Sequence, residues 1–207
     1  MEITRINDYG DTRFGRDVLL EHGAFLLSGV PCSIKVTGTF SAKISSSKSL
    51  SDTETDALIE EFRFFAEHIC DFFAEDGTLI KSFPHPALLR VPTENIRPSQ
   101  FYVSEEKLGA VASFVHSEDD VIIPVVRLES GDLAACDGHT RLYLAHKMGF
   151  THVRAFFTAD GGKYISDFAR EAEKRGILSV CDMKVLSKDE YEEKWIGFCE
   201  KFFENLK

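Results

Sequence analysis

Short apolar runs separated by turn residues fill the beginning of the chain, and this pattern predicts β-strands. Residues 24–27 are continuously apolar, and residues 32–36 alternate between apolar and polar after the turn signal Ser28-Gly29. Runs of this length between turn residues are typical of strands. The serine-rich stretch 41–51 lacks such a run, so we expect an exposed, mobile loop there.

A helix and a hairpin complete the N-terminal region. Ser51 and Glu54 have the spacing of a capping box, and apolar residues then recur at helical spacing as far as Ile69. Asp76-Gly77 lies between apolar pairs, which indicates a hairpin turn. The Phe-Pro-His-Pro run that ends at Pro86 marks a domain boundary, because prolines terminate regular structure.

Beyond Pro86, strands alternate with helices. Four apolar runs predict strands, at residues 88–91, 121–126, 133–136 and 153–157. Pro124 interrupts the second run, so we expect it near a strand end or at a sheet edge. Ser104 is a candidate helix cap, and two more helices are predicted at 164–175 and 187–203.

These elements predict an α+β protein in three parts. Residues 1–86 form a smaller strand–helix–hairpin region, residues 87–160 form a mixed sheet with helices, and residues 161–207 form a helical extension packed on that sheet. The chain has 207 residues, of which 43% are apolar and 28% charged. This length is sufficient for one large core or two small ones.

Charge and cysteine content narrow the function classes. The formal net charge is −10, and an acidic protein cannot neutralise many nucleic-acid phosphates, so specific DNA binding is not expected. The N-terminal Met-Glu-Ile-Thr-Arg has no apolar segment, and we expect a cytoplasmic protein without membrane attachment. Five widely spaced cysteines form no metal-binding pattern, and we expect all except Cys136 to be buried thiols.

The sequence Cys-Asp-Gly-His-Thr-Arg at 136–141 is the strongest candidate for a functional site. It joins a predicted strand to a helix, and a helix N-terminus offers free N–H groups and a positive dipole end to an anion. The candidate phosphate-binding residues are Gly138, His139, Thr140 and Arg141, and Arg141 adds a bidentate fork. In the structural alternative, Asp137 only caps the helix, Gly138 makes the turn and Arg141 pairs with a surface carboxylate.

The order of motifs over residues 88–158 resembles the N-terminal domain of the ParB/sulfiredoxin superfamily. The matching segments are Val-Pro-x-x-x-Ile-x-Pro at 91–98, Ile-Ile-Pro-Val-Val at 122–126, Asp-Gly-His-Thr-Arg-Leu-Tyr-Leu-Ala at 137–145 and Gly-Phe-x-x-Val at 149–153. The resemblance implies a ParB/sulfiredoxin-like mixed sheet. It also implies that Gly138, His139, Thr140 and Arg141 hold the phosphates of a nucleotide.

The members of this superfamily catalyse different reactions, and this chain matches the catalytic residues of each group to a different extent. Sulfiredoxins carry a catalytic cysteine where this chain has His139, so sulfinic-acid repair is not expected. The Asp-Gly-His-x-Arg form is most similar to the free serine kinases, which implies a small hydroxyl substrate. The resemblance to the superfamily as a whole, whose ParB members bind CTP, implies ATP, ADP or CTP with Mg²⁺ as the ligand. Those kinases carry a glutamate base where this chain has Ser99-Gln100-Phe101, and glutamine cannot accept a proton. Asp137 is therefore the first candidate for a catalytic carboxylate.

Three functional hypotheses remain open at this stage. The first is a nucleotide- or phosphate-binding ParB-like protein that transfers phosphoryl groups to a small hydroxyl compound or hydrolyses nucleotides. The second is a non-catalytic regulatory or protein-interaction module, and the third is a ParB-type DNA-associated protein. Residues 1–86 are a candidate lid, dimerisation surface or partner-binding module, and a homodimer is compatible with these features. No metal-ligand cluster is predicted.

Overall fold

A computed structural model of the chain describes residues 1–159 and 162–205 as a mixed α+β structure. The chain divides into two compact units, Met1–Pro86 and Ala87–Lys207. The α+β class expected from the sequence is confirmed. Within the described residues, no helix combines the length and apolar character needed to cross a membrane.

The first unit is a six-stranded sheet whose spatial order follows the chain. Its strands are β1 (Ile3–Arg5), β2 (Ala24–Leu27), β3 (Val30–Val36), β4 (Ser41–Ser46), β5 (Asp71–Phe73) and β6 (Leu79–Ser82). Its helices are α1 (Arg16–Leu20) and α2 (Asp52–Arg63). The β4–β5 pair is parallel and α2 connects it, whereas the other neighbours are antiparallel.

Local sequence signals correctly predicted helix α2 and the β5–β6 hairpin of this unit. The Ser51 capping box begins α2, and Asp76-Gly77 forms the β5–β6 turn with Gly77 at a φ of +88°. Phe62 of α2 contacts Phe25 and Phe72 of the sheet edge-on, at ring-centroid distances of 6.5 and 6.2 Å. All three rings are buried, so the helix packs on the sheet through an aromatic core.

The prediction of a loop over residues 41–51 is wrong for its first half, which is strand β4. Ala42 and Ile44 are buried, whereas Lys43 and the serines of this strand are polar and more exposed. Two apolar residues are sufficient here because β4 lies between β3 and β5, which supply the hydrogen-bonding partners.

The strands of the second unit are β7 (Leu89–Pro92), β8 (Ile96–Arg97), β9 (Tyr102–Ser104), β10 (Ile122–Arg127), β11 (Leu133–Ala135), β12 (His152–Phe157) and β13 (Lys184–Leu186). Five of them form a mixed sheet in the order β7-β12-β10-β11-β8. The β10–β12 and β11–β8 pairs are parallel, and the β10–β11 and β12–β7 pairs are antiparallel. Separately, β13 pairs in parallel with β9.

The helices of this unit agree with the sequence pattern except at the C-terminus. They are α3 (Glu105–Val111), α4 (His139–Lys147), α5 (Ile165–Lys174), α6 (Lys188–Tyr191) and α7 (Gly197–Glu204). Ser104 caps α3 through its hydroxyl, as expected. The single helix predicted at 187–203 is instead interrupted by a π-helical segment, Glu192–Ile196, between α6 and α7.

Pro124 lies in the central strand β10, so the expectation of a strand end or sheet edge is wrong. The register explains how the missing N–H is tolerated. Pairing with β11 runs only from Val125 to Arg127, and Pro124 lies just beyond it, where its carbonyl accepts the Cys136 N–H at 2.8 Å. A proline there has no N–H to extend the ladder, so β11 stops pairing where the chain turns towards α4.

The C-terminal residues pack on the sheet unit through aromatic rings. The Phe101 ring contacts Trp195 and Phe198 at centroid distances of 5.0 and 4.8 Å, and the Arg175 guanidinium lies 4.4 Å from the same ring. The cysteine expectation is only partly correct. Cys32 and Cys70 are buried, but Cys181, in the short helical turn Val180–Asp182, is exposed. Cys199 is half-buried, because it belongs to α7, which has no buried residue.

Candidate functional site

The turn between β11 and α4 requires glycine at position 138. Gly138 has a φ of +77° and is the N-cap of α4. A Cβ atom there would lie 2.9 Å from Ile123 Cδ1 and 3.0 Å from Arg141 Nη2. The positive φ strains any larger residue, and the first distance means that the Ile123 side chain would have to shift; the second distance shows that the Arg141 guanidinium folds back over the turn.

The first turn of α4 presents backbone donors without a side-chain cap. The first helical hydrogen bond runs from the Leu142 N–H to the Gly138 carbonyl at 2.9 Å. In the described part of the chain, the N–H groups of His139, Thr140 and Arg141 donate to no protein acceptor. Three donors at the positive end of a helix dipole favour an anion.

Arg141 adds a cation to this turn. Its side chain is 18% exposed, and the described residues form no hydrogen bond to its guanidinium. Among the described residues, the one carboxylate in ion-pair range is that of Asp137, whose Oδ2 lies 3.7 Å from Nη2. Burial lowers the pKa of Arg141, and the charge of Asp137 opposes this shift. A guanidinium that is mostly buried and loosely paired is suited to accept an anion.

Asp137 is not the helix cap considered in the sequence alternative. The N-cap is Gly138, and no described side chain accepts a capping hydrogen bond at the start of α4. The Asp137 side chain is 52% exposed and forms the loose ion pair with Arg141. This carboxylate therefore lies beside the candidate anion site and remains accessible to water.

The His139 ring holds the turn against the loop that follows β8. His139 is 4% exposed, and its Nε2 accepts the Ser99 N–H at 3.0 Å. The Ser99 hydroxyl lies 3.2 Å from the same nitrogen and donates to the Ala135 carbonyl at 2.7 Å. Burial lowers the pKa of His139 to about 4; Asp137 opposes this shift and Arg141 adds to it. The ring is therefore neutral at pH 7, with its proton on Nδ1.

The structure brings further polar residues to this place. Gln100, next to Ser99, donates from Nε2 to the Tyr102 carbonyl and to the Tyr191 hydroxyl, the latter at 3.1 Å. Tyr191 belongs to α6 and is 6% exposed. Burial raises the pKa of Tyr191, and the charges of Cys199 and Asp137 add to this shift. The Ile-x-Pro motif that precedes Gln100 indicates a functional position there, whereas no sequence motif indicates one at Tyr191.

Other candidate residues do not join this cluster. His146, on the same helix as His139, is exposed. Among residues 1–159 and 162–205, no three His, Cys, Asp or Glu side chains are arranged to hold a metal ion.

Comparisons with known proteins give little further information. No protein-family model and no curated protein matches the chain. The crystal structure of protein Atu1540 from Agrobacterium tumefaciens is similar over 49% of this chain and 63% of that chain, with 18% sequence identity and a TM-score of 0.33. The chain thus spans less than two thirds of that protein, and a likeness at this level carries no argument.

The Gly138→Ala substitution should destabilise the second unit more than Gly149→Ala. Both glycines have nearly the same φ, +77° and +75°, but a Cβ at 149 meets no atom within 4 Å. The control variant Gly149→Ala therefore measures only the loss of stability from placing a non-glycine residue at positive φ, about 1 kcal/mol. We expect Gly138→Ala to cost at least about 1 kcal/mol more because of the overpacking against Ile123. Urea unfolding followed by the fluorescence of Trp195 measures both, and equal losses would contradict the close packing.

The His139→Gln substitution should reduce the acid sensitivity of the same unit. The folded pKa of about 4 lies below the usual 6.5, so the unfolded state binds more protons between these values and stability falls as the pH drops through that window. Between pH 7 and pH 5 this corresponds to about 2 kcal/mol. Glutamine can accept the Ser99 N–H but does not titrate. Between pH 7 and pH 5 the variant should therefore lose about 2 kcal/mol less unfolding free energy than the wild type. An unchanged difference between urea unfolding at pH 7 and pH 5 would show that His139 is not the titrating group.

Proposed function

We propose that the chain binds a nucleotide or a related phosphate compound at the turn formed by Gly138, His139, Thr140 and Arg141. The observation that supports this most directly is the fold-back of the Arg141 guanidinium, which lies 3.0 Å from the position of a Cβ on Gly138. The guanidinium and the three uncapped N–H groups of α4 therefore surround the same turn. A phosphate with several acceptor oxygens could bind both sets of donors.

The ParB/sulfiredoxin-like assignment of residues 87–160 is part of this proposal. The motif Asp-Gly-His-Thr-Arg falls on the connection between β11 and α4, which is where a phosphate-binding turn of that superfamily would lie. The Ile-x-Pro-Ser segment supplies Ser99, whose N–H contacts His139. Two motifs that are about 40 residues apart in the sequence therefore support one another at the site.

Asp137 is the proposed carboxylate for phosphoryl transfer or nucleotide hydrolysis. It is half exposed beside Arg141, so it can orient an acceptor hydroxyl or a water molecule, or contribute one ligand to Mg²⁺. Mg²⁺ usually takes its other ligands from phosphate oxygens and water, so a single protein carboxylate fits ATP, ADP or CTP as ligand. The acceptor in the transfer reaction would be a small hydroxyl compound.

A regulatory, non-catalytic nucleotide-binding module is the second candidate, and Gln100 favours it. Both N–H groups of this amide donate within the protein, to Tyr102 and Tyr191, and an amide cannot serve as a base. In this alternative the phosphate site is retained, but the ligand is bound without being converted. Measured nucleotide turnover would distinguish the two candidates.

Arg141→Ala should weaken phosphate binding, whereas Arg170→Ala should not. Arg170 is exposed and pairs with Asp167 three residues earlier, so the control removes the same charge away from the site. We expect a loss of about 1.5–3 kcal/mol for Arg141→Ala, the usual contribution of a hydrogen bond that involves a charged group. Isothermal titration with inorganic triphosphate and with ATP measures the effect. If Arg141→Ala binds both as tightly as the wild type, the site lies elsewhere.

Asp137→Asn should have opposite effects with and without Mg²⁺. Without the metal, removing the carboxylate that competes for Arg141 should tighten triphosphate binding, by about 0.5–1 kcal/mol for a half-exposed pair. With Mg²⁺, the variant should lose the enhancement that the metal gives the wild type, and any nucleotide turnover should fall. Titrations with ATP at several Mg²⁺ concentrations test both expectations. Identical behaviour of the two proteins would exclude Asp137 from the site.

A further inference from the structure

Gln100 and Tyr191 leave one hydrogen-bond acceptor and one donor unused. The two Nε2 hydrogens of Gln100 go to the Tyr102 carbonyl and the Tyr191 oxygen. In the described part of the chain, nothing donates to Gln100 Oε1, and the Tyr191 hydroxyl hydrogen has no acceptor. Tyr191 is more than nine-tenths buried. A buried donor without an acceptor is unfavourable by about 1–3 kcal/mol, so a ligand or water that accepts from it is strongly favoured.

This donor and acceptor belong to the same region as the phosphate turn. Gln100 follows Ser99, and the N–H of Ser99 contacts the His139 ring at the start of α4. Tyr191 lies 91 positions after Gln100 in the sequence. The parallel pairing of β13 with β9 holds the C-terminal segment in place, and this brings Tyr191 to Gln100.

We propose that Gln100 Oε1 and the Tyr191 hydroxyl bind a hydroxyl group of the same ligand whose phosphate occupies the turn Gly138–Arg141. This inference rests on the proposed function and narrows its ligand to a phosphorylated compound that carries a free hydroxyl. The ribose of a nucleotide and the hydroxyl of a small phosphorylated alcohol are the two sources of this chemistry.

Charge and hydrogen-bond pattern both favour a neutral hydroxyl at this place. A hydroxyl group donates one hydrogen and accepts another, so it matches one free acceptor and one free donor. A second anionic group would be repelled by Asp137. A cation would meet Lys107, whose Nζ lies 5.3 Å from the centre of the Tyr191 ring.

The test compares Tyr191→Phe with the wild type on two matched pairs of probes. The first pair is inorganic triphosphate and ATP, and the second is inorganic phosphate and glycerol 3-phosphate. Within each pair, only the second compound carries an alcohol hydroxyl. Tyr191→Phe keeps the ring and removes only the hydroxyl. We expect about a fivefold to tenfold loss of affinity for ATP or for glycerol 3-phosphate, and less than a twofold change for the inorganic probe of the same pair. The pair that shows the loss identifies the source of the hydroxyl.

Two further variants separate a ligand contact from a structural role. Tyr143→Phe removes the hydroxyl of another buried tyrosine, on α4, and should leave all four affinities unchanged. Gln100→Met removes the acceptor without the tyrosine and should reproduce the selective loss.

The outcomes bear differently on the two proposals. Equal losses on both members of a pair, or no loss on either hydroxyl-bearing probe, would overturn the assignment of Gln100 and Tyr191 and leave the phosphate site standing. If the wild type binds none of the four probes, the proposed function itself is wrong.

Discussion

The buried contact between Ser99 and His139 is the interaction on which the candidate site depends. The Ser99 N–H and the His139 ring nitrogen would each lose a hydrogen bond if the loop after β8 moved away from α4, and neither group is exposed to water. An unpaired buried N–H is unfavourable by about 1–3 kcal/mol, so the contact fixes the loop against the turn. Burial lowers the pKa of His139 to about 4, so the ring stays neutral at pH 7 and does not add a second positive charge beside Arg141.

The charge balance of the turn then determines what it can bind. Arg141 is mostly buried, and its ion pair with Asp137 is longer than a hydrogen bond. If Arg141 were tightly paired within the protein, its guanidinium would gain little from binding an external anion. If it were completely unpaired, the buried charge would destabilise the fold. The loose pair lies between these limits. In the proposed function a phosphate replaces this pair, and Asp137 then becomes available to water, a hydroxyl or Mg²⁺.

The sequence predicts elements and residues correctly where their structure depends on residues nearby in the chain. The capping box of α2, the Asp-Gly hairpin and the Gly138–Arg141 turn each depend on neighbouring residues. The serine-rich strand β4 and the central position of Pro124 depend on which strands lie beside them, and a linear pattern does not contain that information. Tyr191 illustrates the same limit at the site, because its partner Gln100 is 91 residues away and its helical spacing indicates only an apolar face.

The most direct test of the proposed phosphate site at Gly138–Arg141 is an amide NMR titration of the wild-type protein with inorganic triphosphate. The account predicts that the largest shifts fall on the backbone N–H signals of His139, Thr140 and Arg141, together with the Arg141 guanidinium, and that the Ser99 N–H keeps its hydrogen bond to His139. Saturable shifts confined to other parts of the chain, with these amides unchanged, would contradict it.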